Sequence, residues 1–406
     1  MARNSKAMVA LTSSSPSALN LKNQTHKGPQ HSYTYKYHPK IKGPKLHKMP
    51  PPSLNFMFFL SLLLLLHLRP AIAAITIPPG YSVPAVFVFG DSIVDTGNNN
   101  NVITQAKCNY PPYGRDFPSG RPTGRFSNGR VPSDLVADAL GIKELLPPYA
   151  DPNLQPEDLI TGVNFASGGA GFDPLTSQTA PAISLEDQLA NFRAYKKKLE
   201  GVVGEERAKF IIVNSLYLVV AGSNDIANTF YLARIRQLHF TIGSYTDFMA
   251  RSASAFVKEL YAAGARRIGF FSTPPLGCVP SQRTLAGGIQ RACVNEYNNA
   301  AKLFNGKLHS TLDHLQTILP DSRVVYVDIY NPLLDVILNY VKYGFEVADR
   351  GCCGSGLIEV TFLCNKFVKT CPDSTKYVFW DSFHPTQTTY TLLVAPIIQR
   401  YISRFL

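Results

Sequence analysis

Four short stretches of the 406-residue chain carry side chains that can do chemistry together. Gly90-Asp91-Ser92 follows the apolar run Ala85-Val86-Phe87-Val88-Phe89, so a serine hydroxyl leaves the end of a buried strand behind a glycine that permits a tight turn. Ser167-Gly168-Gly169-Ala170-Gly171 offers accessible backbone amides, and Ala221-Gly222-Ser223-Asn224-Asp225 offers a side-chain amide. Trp380-Asp381-Ser382-Phe383-His384-Pro385 pairs a histidine with a carboxylate three residues earlier. A serine, a histidine and a carboxylate that fixes the imidazole tautomer make an activated nucleophile, and N–H donors nearby hold a developing oxyanion. Each stretch has a plainer reading. Ser92 alone would be a helix N-cap, the glycines a phosphate cradle and Asn224-Asp225 a turn pair. The chain has no Lys-Ser/Thr terminus on that glycine loop and no GxGxxG, which weakens nucleotide binding. Of the four histidines after residue 74, His309 and His314 fall off the apolar stripe of their helix, and His239 has no carboxylate neighbour.

Such residues need strand ends to present them. Short apolar runs suited to buried parallel strands occur at 85–89, 162–166, 216–220, 267–271 and 323–327. Between them lie helical patterns. Val294, Tyr297, Ala301, Phe304, Leu308, Leu312, Leu315 and Leu319 step by three and four along one face, and Met249, Ala253, Phe256 and Leu260 do the same before Gly264. Strands alternating with helices predict an α/β fold, a three-layer α/β/α sandwich around a mainly parallel five-stranded sheet, with its site at the carboxyl ends of the strands. No repeat or long polar linker interrupts residues 75–406, which predicts one domain there.

The charge misleads at first. Forty Lys and Arg against 28 Asp and Glu suggest an anionic partner. Yet residues 1–74 hold ten of the basic residues and no acidic one, leaving a net charge of +2 on the other 332 residues. The body is a core builder and not a polyelectrolyte, so no nucleic-acid partner is expected. Residues 1–55 lack apolar periodicity and read as a disordered basic leader. The apolar segment 56–66 is too short for a stable membrane span and runs into Ala71-Ile72-Ala73-Ala74, the pattern of a secretory signal peptide. Counted from Met49 that peptide has 26 residues, which points to initiation at Met49 or Met57; an uncleaved signal anchor is the alternative. Export predicts disulfides, and all seven cysteines lie in the body. A zinc site at Cys352, Cys353, Cys364 and Cys371 is disfavoured by the adjacent pair and by the lack of a nearby CxxC repeat. The expected pairing joins Cys278 to Cys293 and the last four among themselves, leaving Cys108 free.

In this order the four stretches resemble the GDSL esterase/lipases of the SGNH hydrolase superfamily. The likeness extends from about Pro84 to the C-terminus. Asp95-Thr96-Gly97-Asn98-Asn99, Pro112-Tyr113-Gly114, Gly124-Arg125-Phe126-Ser127-Asn128-Gly129, Val163 to Gly171, Pro274 to Cys278 and Cys352-Cys353-Gly354 resemble the plant branch. Ile93 stands where the family name has Leu, a departure that leaves Ser92 untouched. The resemblance implies a flavodoxin-like fold with Ser92 as nucleophile, His384 as base and Asp381 as its orienting carboxylate. The oxyanion hole it implies is the N–H of Ser92, the N–H of Gly169 (Gly168 being the fallback) and the side chain of Asn224. No metal or organic cofactor is implied. The chain lacks GxSxG, which argues against the sharp nucleophile elbow of α/β-hydrolase lipases. The implied partner is an ester (a lipid, an acetylated polysaccharide or a polyester) met outside the cell, in the apoplast or wall. An acyltransferase on the same site and an inactive binding protein are the alternatives. Tyr110, Tyr113, Phe117 and Phe126, on the loop after Ser92, either wall the pocket or pack the loop on the sheet.

Overall fold

A computed structural model describes residues 75–406, and the expected leader and signal peptide lie outside the described residues. Four five-residue runs of apolar, largely β-branched and aromatic side chains form the strands β1 (Val86–Gly90), β2 (Leu216–Val220), β3 (Arg267–Phe271) and β4 (Arg323–Val327). They pair in parallel in the order β1-β2-β3-β4, with Val86 opposite Leu216, Leu216 opposite Arg267, and Arg267 opposite Arg323.

Because alternate strand residues point to opposite faces, each strand feeds two cores. Phe87, Phe89, Tyr217, Val219, Ile268 and Phe270 pack on one side. Val86, Val88, Leu216, Leu218, Val220 and Val325 pack on the other. Six helices cover the two faces: α1 (Pro132–Ala139), α2 (Leu185–Val203), α3 (Glu205–Asn214), α4 (Ile242–Ala262), α5 (Asn295–Ile318) and α6 (Gln387–Phe405). Buried residues of α2 to α5 belong to the first core, and those of α1 and α6 belong to the second, which makes the three layers. Helix α5 buries the predicted stripe Ala301, Phe304, Leu308, Leu312 and Leu315. Just beyond α4, Gly264 adopts φ +110°, and its N–H bonds the carbonyl of Tyr261.

The expected strand at 162–166 is only partly realised. It lies along the free edge of β1 through one parallel bridge, Val88 to Asn164, and through Phe165 N–H to Val88 O (2.7 Å) and Ser167 N–H to Gly90 O (3.0 Å). The sheet proper therefore has four strands. On its other side Asn164 donates its N–H to Pro147 O at 2.9 Å and accepts the N–H of Tyr149 at 2.8 Å, and its carboxamide oxygen accepts the N–H of Ala166 at 2.8 Å.

A second, two-stranded parallel sheet of β5 (Val347–Gly351) and β6 (Tyr377–Phe379) was not foreseen. Its residues are short and mixed in polarity, so periodicity does not announce it. Disulfides Cys352–Cys371 and Cys353–Cys364 lie directly after β5, and Cys278–Cys293 bridges a loop after β3. Cys108 is a buried free thiol.

Candidate active site

At the end of β1, Gly90 adopts φ +130°, and a Cβ there would overlap the carbonyl of Val220 on the neighbouring strand. Only glycine allows the chain to turn so close to β2. Asp91 then closes the turn. Its N–H donates to Val220 O at 3.0 Å, and its Oδ1 accepts the N–H of Ile93 at 3.0 Å. Ser92 lies at the apex, partly exposed.

Two residues past β6, Asp381 builds a second tight turn. Its Oδ1 accepts the N–H groups of Phe383 (2.8 Å) and His384 (2.7 Å), and the N–H of Trp380 donates to the carbonyl of His384 at 2.7 Å. The turn swings the imidazole against the same carboxylate, with Nδ1 2.9 Å from Oδ2 and 3.0 Å from Oδ1. The other ring nitrogen, Nε2, stands 2.8 Å from Ser92 Oγ. Asp381 is 0 % exposed and His384 5 %, whereas His239, His309 and His314 are exposed and elsewhere. Residues 292 positions apart thus form one hydrogen-bonded row, Ser92–His384–Asp381.

The amide donors come from the other two stretches. The N–H of Gly168 is committed to Asp95 Oδ2 at 2.9 Å. Gly169, at φ +92°, and Ser92 have backbone N–H groups that bond nothing among the described residues. Asn224 immediately precedes the helix Asp225–Leu232 that follows β2, and its side chain makes no capping bond to it. One hydrogen of its Nδ2 goes to Ala170 O at 2.9 Å, its Oδ1 accepts from Asn228 Nδ2 at 3.0 Å, and its second Nδ2 hydrogen has no partner there.

Several supporting residues had no role assigned from sequence. Asp95 holds the N–H groups of Gly97 and Asn98, at 2.8 Å each, besides that of Gly168. Asn98 Nδ2 donates to Asn164 O and Ala166 O, and Asn99 Nδ2 donates to Gly168 O, so the segment after Ser92 binds the glycine loop side by side. Tyr113 donates its hydroxyl to Asp381 Oδ2 at 2.8 Å and accepts the N–H of Thr361 at 2.9 Å. Phe126 packs 5.2 Å from the His384 ring. Of the four aromatics of this loop, Tyr113, Phe117 and Phe126 are buried, 0, 9 and 1 % exposed, and Tyr110 is partly exposed. Arg125 ties the loop down by a buried two-pronged pair with Asp134, both bonds 2.7 Å. Most of these contacts leave no sequence signal beyond the presence of a polar residue, because the partners of Asn98, Asn99 and Tyr113 are tens to hundreds of positions away.

Burial sets the local acidities. Asp91 is pushed up to about 7 by desolvation, opposed by the Ile93 N–H and by His384. Asp95 is pushed up to about 6, again chiefly by burial, against the three N–H groups it accepts. The Tyr113 hydroxyl is held well above its ordinary value by burial and by the Asp381 charge, so it stays a donor. Among the described residues there is no cluster of three or more His, Cys, Asp or Glu that could hold a metal.

The GDSL-like lipase/acylhydrolase family matches residues 86–397, from the start of β1 into α6. This chain belongs to that family. It is 54 % identical over 345 residues to the GDSL esterase/lipase EXL3 of Arabidopsis thaliana, covering 85 % of this chain and 94 % of the relative. It is 51 % identical over 340 residues to the GDSL esterase/lipase EXL2 of the same plant, covering 80 % and 90 %. Among solved structures, a mutant of the acetylxylan esterase Axe2 from Geobacillus stearothermophilus aligns over 79 % of this chain and 95 % of its own, at 14 % identity and a TM-score of 0.36. As a GDSL esterase/lipase the protein is a carboxylic ester hydrolase, and the four stretches lie inside the matched region. No helix among the described residues is long and apolar enough to cross a membrane.

Proposed function

We propose that this GDSL hydrolase is a secreted serine esterase that works through an acyl-enzyme on Ser92. The observation that carries the reading is the imidazole of His384, which has Nε2 2.8 Å from Ser92 Oγ and Nδ1 2.9 Å from Asp381 Oδ2. With its proton on Nδ1 facing the carboxylate, His384 presents the Nε2 lone pair to the serine hydroxyl. As Oγ bonds the ester carbonyl carbon, the hydroxyl proton passes to Nε2, and the carbonyl electron pair moves onto oxygen. Asp381 stabilises the imidazolium and Tyr113 stabilises Asp381. The oxyanion takes the free N–H of Ser92, the free N–H of Gly169 and the second Nδ2 hydrogen of Asn224. The C–O bond then breaks, the imidazolium protonates the leaving alcohol, and water repeats the sequence on the acyl-enzyme to release the acid.

Export fits the three disulfides and the apolar segment 56–66, and the expected destination is the apoplast or cell wall. N-terminal sequencing of protein collected outside the cell tests this; a species retaining residues 56–66 would overturn cleavage. For the chemistry, Ser92→Ala and His384→Ala are each expected to abolish p-nitrophenyl ester hydrolysis. Full turnover by either variant refutes the assignment.

A further inference from the structure

Three segments border the proposed site and are tied to it by hydrogen bonds. Asn99 Nδ2 donates to Ala106 O at 2.7 Å and to Gly168 O at 2.8 Å, so residues 102–107 run beside the glycine loop. Thr361 N–H donates to the Tyr113 hydroxyl that serves Asp381, and Ser382 N–H donates to Glu359 O at 2.9 Å, so residues 357–363 flank the turn of His384. Ser281 N–H donates to Ser382 O at 3.0 Å and the Thr284 hydroxyl to Leu357 O at 3.0 Å, which sets the short helix Pro280–Ala286 next to them. The first two segments also meet below the surface, where Cys108, Cys353 and Cys364 belong to one buried cluster.

These segments turn large apolar side chains to water. Ile103 and Phe367 are 96 and 85 % exposed, and Leu285, Ile358 and Phe362 are exposed with them. Such a group gathered beside a site marks an interaction surface, unlike the scattered single exposures found on any protein. Its charge has one sign. Residues 101–110, 280–292 and 354–371 contain five basic residues, Lys107, Arg283, Arg291, Lys366 and Lys369, and one acidic residue, Glu359. The Glu359 carboxylate is taken up by the N–H groups of Ser355, Leu357 and Ile358 in its own loop. Arg291 faces Asp349, whereas Lys107, Lys366 and Lys369 make no ion pair among the described residues. Lys366 Nζ lies 5.2 Å over the Phe367 ring, which puts charge and apolar surface in one place.

Exposed isoleucine and phenylalanine gain by entering acyl chains, and lysines gain by meeting negative headgroups above those chains. A neutral polysaccharide offers neither partner. An acidic one would meet the lysines and leave Ile103 and Phe367 in water. We propose that this rim docks the enzyme on an anionic lipid surface, so that the ester reaches Ser92 from an aggregate and not from free solution. The inference rests on the Ser92 reading for the substrate class it names; the docking itself needs no turnover.

The test is co-sedimentation of Ser92→Ala protein, which leaves lipid intact, with vesicles of phosphatidylcholine alone and of phosphatidylcholine mixed with phosphatidylglycerol. Tighter binding to the mixed vesicles, weakened by salt, is expected. Phe362→Ser with Phe367→Ser lowers the affinity at least about tenfold, and Ile103→Ser lowers it at least about threefold, the order of what burying such side chains contributes. Lys366→Glu with Lys369→Glu removes the preference for the charged vesicles. With Ser92 present, each of these variants hydrolyses soluble p-nitrophenyl acetate at the parent rate; should the phenylalanine pair not fold, Ile103→Ser and the lysine pair decide. Docking is overturned by no binding to either vesicle, by equal binding to both, or by affinities that the variants leave unchanged. Retention on acetylated xylan or polygalacturonate in place of vesicles overturns it too, as does a dimer in solution that the phenylalanine pair dissociates. Turnover surviving Ser92→Ala overturns the acyl-enzyme reading instead.

Discussion

Asp95 Oδ2 accepts the backbone N–H of Gly168 at 2.9 Å, and this bond distinguishes two adjacent glycines. Gly168 is spent on the scaffold, while the N–H of Gly169 bonds nothing among the described residues. Asp95→Asn would turn an NH2 toward at least one of the three N–H groups that the carboxyl now accepts, leaving a buried donor unpaired at about 1–3 kcal/mol. A lowered melting temperature and a fall in kcat of at least about tenfold are expected, since 1.4 kcal/mol is a factor of ten. Parent-like values of both would remove Asp95 from the support of the site.

Asn224 contributes its second Nδ2 hydrogen to the proposed oxyanion hole. Asn224→Ala is expected to lower kcat by about 10²–10³ with a much smaller change in KM, as for other single donors. Steady-state kinetics on p-nitrophenyl butyrate decide it; a change confined to KM would assign Asn224 to ground-state binding.

Tyr113 is the only partner of Asp381 contributed by the loop after Ser92 among the described residues. Tyr113→Phe removes a hydrogen bond to a charged group, worth about 1.5–3 kcal/mol, while keeping the ring that packs on Trp380. Turnover should drop roughly tenfold, the same 1.4 kcal/mol scale, and Tyr113→Ala should also lower the melting temperature. Equal kcat for Tyr113→Phe and parent would show that Asp381 does not need the bond.

Asp91 gives the fold a pH dependence. Its carboxyl is raised from 3.8 to about 7, so the folded state binds this proton more tightly than the unfolded chain does. The stability it contributes is fully present below about pH 4 and is lost as pH rises through 7, at up to about 1.4 kcal/mol per unit. Asp95 and Asp225, both raised to about 6, act in the same direction. Asp91→Asn cannot titrate. Its melting temperature should fall less between pH 4.5 and 7.5 than the parent's, and identical slopes in thermal melts would contradict the role.

Cys352–Cys371 closes a 19-residue separation, and the chain beside it reaches the turn that holds Asp381, with Cys352 N–H on Phe379 O and Cys353 N–H on Trp380 O. Losing a loop closure of that size costs about 3 kcal/mol. Cys352→Ser with Cys371→Ser, or reduction of the parent, is expected to lower the melting temperature and to remove activity at temperatures where the oxidised enzyme is stable. Reduced protein with an unchanged melt would mean that the bond does not brace this turn.

Much of the frame was legible in the chain. The four strands read as apolar runs, and α5 read as a stripe, because both patterns follow from which side chains must avoid water. The fifth run pairs with β1 through a single bridge although its apolar residues read like those of the other four, so a hydrophobic period does not tell a full strand from a partial one. The sheet of β5 and β6 was invisible because its residues owe their position to neighbours and to disulfides, not to a hydrophobic period.

The sequence by itself determined the layered α/β frame, the four stretches, the family and the candidacy of Ser92, His384 and Asp381, since residue type and order along the chain suffice for these. Tertiary structure alone decided that His384 Nε2 meets Ser92 across 292 positions, that the Gly168 N–H is occupied and that of Gly169 free among the described residues, and that Tyr113, Phe117 and Phe126 are buried. Hydrogen bonds and cavities are properties of distance between remote residues, and chain order constrains those distances only after the core has packed.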